Sequence, residues 1–141
     1  MNLEEAPAML VLHCGGNDVG QYSVADLRHY IKSQICYLKK KLPNTKIVWS
    51  QILPRGNWRY SDNAKAMNRV RIRLNSAVAT EAIRLNGGYI KYPDLVLSST
   101  ALWSVDGVHL SDLGNDLFLN TLQSALESML STDSCIYPIS K

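Results

Sequence analysis

The sequence lacks the features that mark several large classes of protein. Its three cysteines are an odd number and form no CxxC pair, which argues against a disulfide framework and favours a reducing compartment. No apolar run approaches the length of a membrane span, and the acidic start Met-Asn-Leu-Glu-Glu has no secretory signal character. These absences predict a soluble cytoplasmic protein without a membrane span.

An excess of charge of one sign is also missing. The chain has 15 Lys and Arg against 12 Asp and Glu, which gives a net charge of +3. That balance alone is too weak to argue for a nucleic-acid partner. Neither a GxGxxG nor a GxxxxGK[ST] phosphate loop occurs. With 141 residues, of which 46% are hydrophobic, the chain fits one domain with a single core.

Hydrophobic periodicity predicts alternating strands and helices. Apolar runs at 9–13, 47–53 and 89–92 suit the buried strands of a parallel sheet. Helical stripes cover 23–42, 64–85 and a segment that starts near 111 or 112. The order strand, helix, strand, helix, strand, helix predicts a single α/β domain over 1–130. The segment 131–141 has no periodicity and predicts a disordered tail.

Two polar motifs fall on loops that leave the carboxyl ends of the predicted strands. Gly15-Gly16-Asn17-Asp18 follows the first strand, and Asp106-Gly107-Val108-His109 precedes the last helix. Because binding sites of open parallel sheets form at these strand ends, the two motifs are expected to face a common cleft.

The spacing of Asp106 and His109 is compatible with a catalytic acid–base pair. An imidazole takes a proton from a hydroxyl only when its tautomer is fixed, and a carboxylate that accepts the other ring N–H fixes it. An ordinary turn, with Asp106 bonded to the backbone and His109 on the surface, gives the same spacing. The sequence leaves both interpretations open.

The glycine turn that holds Asn17 has two interpretations as well. The side-chain amide of Asn17 could donate to an oxyanion, and Gly15 would let the backbone approach a substrate closely. Alternatively, Asn17 and Asp18 bond their own backbone in a plain tight turn.

Together, the two motifs resemble those of the SGNH, or GDSL-like, esterase family over residues 9–130. Gly15–Asp18 is similar to its G-x-N-D block and Asp106–His109 to its D-x-x-H block. The longer stretches of sequence around the two motifs also resemble SGNH-like domains of vertebrate mobile elements.

This resemblance has several implications for the fold and the site. It implies a flavodoxin-like three-layer α/β/α fold. It also implies an enzyme that hydrolyses a small carboxylic ester through an acyl-serine intermediate, without metal or organic cofactor. It implies that His109 is the general base and Asp106 its orienting acid. Asn17, with Gly15, would bind the substrate and its oxyanion.

One part of the family pattern is missing. The nucleophilic serine of the family lies in a G-D-S block after the first strand, and the eight residues before Met9 contain no serine. The sequence therefore predicts a partial domain that lacks the first strand or strands, with little or no esterase activity. Four other residues could replace the serine nucleophile, but each is expected to be unsuitable. Ser50 is expected to be buried and Ser23 to cap a helix. Ser104 has no sharp turn that would expose its hydroxyl, and Cys14 is expected to pack in the interior.

Three further interpretations stay open. A metal could be held by mixed nitrogen and oxygen ligands, which would be His13, Asp18, Asp106 and His109. No paired-ligand spacing in the sequence supports such a site. The second helix is basic at 65, 69, 71, 73 and 84, so a non-catalytic module that binds nucleic acid or protein is the main alternative function. A sheet without its first strand would also have an open edge, through which two copies could form a homodimer.

Overall fold

The computed structural model describes residues 5–139, so residues 1–4 of the predicted domain and 140–141 of the predicted tail lie outside it. Within this range the four strands are β1 (Met9–Leu12), β2 (Lys46–Ser50), β3 (Gly88–Ile90) and β4 (Ile136–Tyr137). All are parallel and form one sheet in the order β1-β2-β3-β4. The helices are α1 (Val24–Lys41), α2 (Ala64–Arg84) and α3 (Asp112–Ser131), and short 3-10 turns occur at Gly16–Asp18 and Thr100–Leu102.

Each helix begins at a side chain that caps its first turn. Ser23 Oγ accepts the N–H of Asp26 at 3.1 Å, which confirms the predicted cap of α1. Asn63 and Ser111 accept backbone N–H groups in the same way at the starts of α2 and α3. These caps fix where each loop ends, and the two candidate motifs lie in those loops.

The sheet is covered on both faces, so the molecule has three layers. Ile47 and Trp49 of β2 pack against α1 and α2, whereas Val48 points to the other face, where α3 packs. All three side chains are fully buried because alternate residues of a central strand face opposite layers. The predicted α/β fold with a parallel sheet is confirmed. Among the described residues, no helix combines the length and the apolarity that a bilayer span requires.

The first strand lies at an edge of the sheet. β1 pairs with β2 and with no other described strand, and all four of its residues are only half-buried. By contrast, the last four residues of β2 are buried. An edge strand presents unpaired N–H and C=O groups that can pair with another chain.

The segment after α3 differs from the disordered tail that the sequence predicted. Ile136 and Tyr137 form β4, which pairs with Tyr89 and Ile90 of β3. The N–H of Tyr89 donates to the carbonyl of Cys135 at 2.8 Å. A two-residue strand is too short to show alternation in a sequence, and its place depends on the free edge of β3, which is distant along the chain.

Candidate active site

Three loops meet at the carboxyl edge of the sheet, and the middle one links the two sequence motifs. In the loop after β2, Arg55 Nη1 donates to Asn17 Oδ1 at 3.1 Å. The next residue, Gly56, donates its N–H to the carbonyl of Gly107 at 2.8 Å. Neighbouring residues of one loop therefore connect the glycine turn after β1 to the Asp-Gly-Val-His turn before α3.

The structure brings the side chains of Asp106 and His109 into contact. Asp106 Oδ2 lies 2.5 Å from His109 Nδ1, and Asp106 Oδ1 accepts the backbone N–H groups of Val108 and His109, each at 2.9 Å. These bonds, with that to the imidazole first, lower the pKa of Asp106 to about 2. Since an ionised carboxylate only accepts, His109 Nδ1 donates, and in the neutral imidazole the lone pair is then on Nε2. The imidazole is mostly exposed, with 78% of its side-chain area accessible.

The Asp-Gly-Val-His turn is held by backbone bonds on two sides. Gly107 has φ of +71°, and a Cβ there would lie 3.2 Å from Asn57 Cβ, so both conformation and space favour glycine. Its carbonyl accepts the N–H of Gly56, and Ser104 N–H donates to the carbonyl of His109 at 2.8 Å. These backbone bonds therefore fix the turn that carries Asp106 and His109.

The glycine turn after β1 positions the side chain of Asn17. Gly15 has φ of +99°, and the N–H of Asp18 donates to its carbonyl at 3.0 Å, which starts the 3-10 turn. Gly16 lies under Arg55, whose guanidinium would have to shift to accommodate a Cβ at this position. Because Asn17 Oδ1 accepts from Arg55, the Asn17 amide nitrogen is left to donate. Asn17 is exposed, so this donor is accessible to a ligand.

Arg55 is the site residue that sequence analysis missed. Its guanidinium lies 5.3 Å from the centroid of the Trp58 ring, and burial lowers its pKa. Asn68 of α2 accepts the backbone N–H of Arg55 at 3.1 Å and donates to its carbonyl at 2.8 Å. The available signal was a basic residue between Pro54 and Gly56, in a loop that leaves the carboxyl end of a central strand.

Below the cleft, Ser50 connects His13, which is partly exposed, to the buried Tyr92 by hydrogen bonds. Its hydroxyl lies 2.9 Å from His13 Nδ1 and 2.6 Å from the Tyr92 hydroxyl. Partial desolvation lowers the pKa of His13, and burial raises that of Tyr92 to about 12. Ser50 has no exposed surface, which confirms the expected burial and keeps its hydroxyl away from any substrate.

The other candidate nucleophiles are not activated in this structure. Ser104 Oγ donates to the carbonyl of Leu110 at 3.3 Å, and Ser23 caps α1. Cys14 is exposed, contrary to the expectation that it packs in the interior, because it lies two residues beyond the end of β1, in the loop. Partial burial of the thiol and the nearby Asp18 raise the pKa of Cys14, which disfavours the reactive thiolate.

The structure gives little support to a metal site or a continuous basic face. In residues 5–139, no group of three or more His, Cys, Asp or Glu side chains has a metal-binding arrangement. On α2, Arg84 pairs with Glu81 at 2.6 Å, and Arg71 Nη1 donates to the carbonyl of Ile52 at 3.2 Å. Two of the five cations that suggested nucleic-acid binding are therefore engaged with the protein itself.

The chain matches a protein-family model over most of its length. The family model for GDSL-like lipases and acylhydrolases matches residues 2–117. No curated protein matches the chain significantly.

Solved structures with a similar fold include three of related description. A candidate acylhydrolase from Bacteroides fragilis has a TM-score of 0.72 and 22% identity over 88% of this chain. A candidate GDSL-like lipase from Parabacteroides merdae has a TM-score of 0.64 and 22% identity over 86% of it. The esterase domain of the ORF1 protein from the zebrafish ZfL2-1 retrotransposon has a TM-score of 0.61 and 25% identity over 90%. The chain spans 63%, 61% and 73% of these three chains, respectively.

Proposed function

The chain belongs to the GDSL-like lipase and acylhydrolase family, and we propose that it supplies the base, the orienting acid and an oxyanion donor for hydrolysis of a carboxylic ester. The observation that carries this proposal is the contact of 2.5 Å between Asp106 Oδ2 and His109 Nδ1. It leaves His109 Nε2 as the proton acceptor, as general-base catalysis on a hydroxyl requires. The free amide nitrogen of Asn17 is the proposed oxyanion donor, beside the turn that Gly15 makes possible.

The reaction proceeds through an acyl-serine intermediate. A serine hydroxyl attacks the ester carbonyl while His109 Nε2 takes its proton, and Asn17 stabilises the oxyanion that forms. Collapse of the tetrahedral intermediate breaks the bond to the alcohol, which leaves with the proton from His109. Water then attacks the acyl-serine with His109 again as base, and this step releases the carboxylic acid and restores the serine.

The nucleophile is proposed to come from a segment outside this chain, which pairs with the open edge of β1. Such a segment would carry the G-D-S block that the family resemblance implies, and the edge strand has backbone groups free to receive it. Ser50 and Ser104 are poor substitutes because their hydroxyls are already bonded within the fold. The isolated chain is therefore expected to have little or no esterase activity.

A complementation assay with a short-chain aryl ester tests this proposal. The chain alone should give background turnover. Fusion of a segment that carries a strand and a G-D-S block to its N-terminus should give turnover that His109→Ala abolishes.

A second histidine provides the matched control. His29→Ala, which changes an exposed histidine of α1 that belongs to neither motif, should leave that turnover unchanged. Turnover by the unfused chain that depends on His109 would contradict the external nucleophile. A fused protein that folds without His109-dependent turnover would contradict the proposed reaction.

A further inference from the structure

A second concave surface lies beside the candidate active site and has no role in the reaction proposed above. It is an open cavity of about 690 Å³ between α2 and the segment that follows β3. We call it the cationic groove, because three cations and a set of apolar side chains line it together. The cations are Lys65, Arg69 and Arg71, and the main apolar side chains are Ile72, Leu95, Val96 and Leu97.

The positive charge of this groove has no carboxylate partner within the described residues. None of the ion pairs in residues 5–139 involves the three cations, and no Asp or Glu lines the groove. Asp94 belongs to the adjacent segment but does not line it. Burial lowers the pKa of Arg71, whose Nε is buried without a hydrogen-bond partner. An anionic ligand would offset the cost of a partly desolvated guanidinium.

The apolar part of the groove is unusually exposed for large side chains. Ile72, Val96 and Leu97 have 56%, 42% and 38% of their surface accessible. Apolar surface next to uncompensated cations is complementary to a molecule with an apolar chain and an anionic head.

The groove continues toward the Asp-Gly-Val-His turn. Leu97 lines both the groove and a neighbouring cavity of about 350 Å³, which is also lined by Gly107 and Trp103. Trp103 Nε1 donates to the carbonyl of Val96 at 3.0 Å, so the indole joins the walls of the two cavities. One ligand could therefore extend from the turn, across Leu97, to the cations of α2.

We propose that the cationic groove binds an amphipathic anion, the far end of an ester substrate whose apolar acyl chain ends in an anionic head. The chain lies along Val96 and Leu97, and the head contacts Arg69 and Arg71. The assignment to a substrate rests on the proposed esterase function, whereas binding of the anion itself does not.

Isothermal titration calorimetry of the chain tests binding directly. Octanoate and octyl phosphate are the probes, and they distinguish a carboxylate head from a phosphate head. At least one should bind more tightly than 1-octanol, octyltrimethylammonium and inorganic phosphate. Arg69→Gln should weaken that binding by about tenfold, as expected for loss of a charge-assisted hydrogen bond.

The matched control is Arg73→Gln, an equal change of charge on an exposed residue of the same helix that does not line the groove. It should leave the affinity unchanged. Equal weakening by the two substitutions, equally strong binding of 1-octanol, or no binding of either probe would overturn the proposal. RNA that displaces the probes equally well in both variants would instead favour a phosphate-binding surface, and would also overturn it.

A comparison of substrates separates this proposal from the esterase function. In the fused protein, Arg69→Gln should lower kcat/KM for a half-ester with a terminal carboxylate, but not for the neutral diester of equal length. Anion binding without any esterase activity would support the groove as an anion site and contradict the proposed function. Esterase activity without anion binding would support the proposed function and contradict the anion site.

Discussion

Substitution of Asn75 by alanine should destabilise the protein more than any exposed asparagine substitution. Asn75 lies in the middle of α2 and is 1% exposed. Its Oδ1 accepts from Trp49 Nε1 at 3.1 Å and from the N–H of Ile52 at 2.9 Å, and its Nδ2 donates to the carbonyl of Ile52 at 3.0 Å. The side chain therefore fixes the residue from which the loop that carries Arg55 departs.

The magnitude follows from the groups that the substitution leaves unpaired. Trp49 Nε1 and the N–H of Ile52 would lose their acceptor, at about 1–3 kcal/mol for each buried donor. The carbonyl of Ile52 still receives Arg71 Nη1, so it adds little. A water molecule that enters the vacated space would reduce the penalty, and we expect a loss of about 3 kcal/mol, or roughly 10 °C in Tm.

Urea unfolding followed by tryptophan fluorescence measures this loss. Asn120→Ala, on the exposed face of α3, is the matched control and should change the stability by less than about 0.5 kcal/mol. A loss below about 1 kcal/mol for Asn75→Ala, or one equal to that of the control, would refute the reasoning that Asn75 satisfies buried donors.

Three other predictions concern the conformation of Gly107, the stability at acid pH and the open edge of β1. Gly107→Ala should cost about 1–2 kcal/mol in urea unfolding because its φ is +71°, and no loss would contradict the strained turn. The pKa of Asp106 lies at about 2 in the folded protein, below its ordinary value of 3.8. Its carboxylate therefore contributes stability above about pH 4 that is lost as the pH falls toward 2. In Asp106→Asn, the stability should fall less steeply over this pH range. An unchanged dependence of stability on pH would contradict the hydrogen-bonded carboxylate. Finally, the open edge of β1 should let the isolated chain form a homodimer in sedimentation experiments, and a monomer at every concentration would contradict this.

Sequence patterns predicted the parts of the fold that depend on local chemistry. The helix cap at Ser23, the burial of Ser50 and the spacing that allows Asp106 to contact His109 all involve neighbouring residues or the pattern of a buried strand. The predicted order of strands and helices followed from the same local periodicities, and it was sufficient to place both motifs at one edge of the sheet.

The missed features depend on pairs of residues that are distant in sequence. Asn75 is a polar residue within an apolar stripe, and its burial makes sense only beside Trp49 and Ile52. The bond between Arg55 and Asn17 joins two loops across 38 positions, which no local pattern reveals. β4 is likewise defined by its partner β3 and not by its own two residues.

The protonation site of His109 is the most direct test of the central claim that Asp106 prepares this imidazole as a base. Long-range proton–nitrogen correlation NMR assigns the tautomer of neutral His109. The account predicts a proton on Nδ1 and none on Nε2, and loss of this preference in Asp106→Asn. A proton on Nε2 in the unsubstituted protein would contradict it.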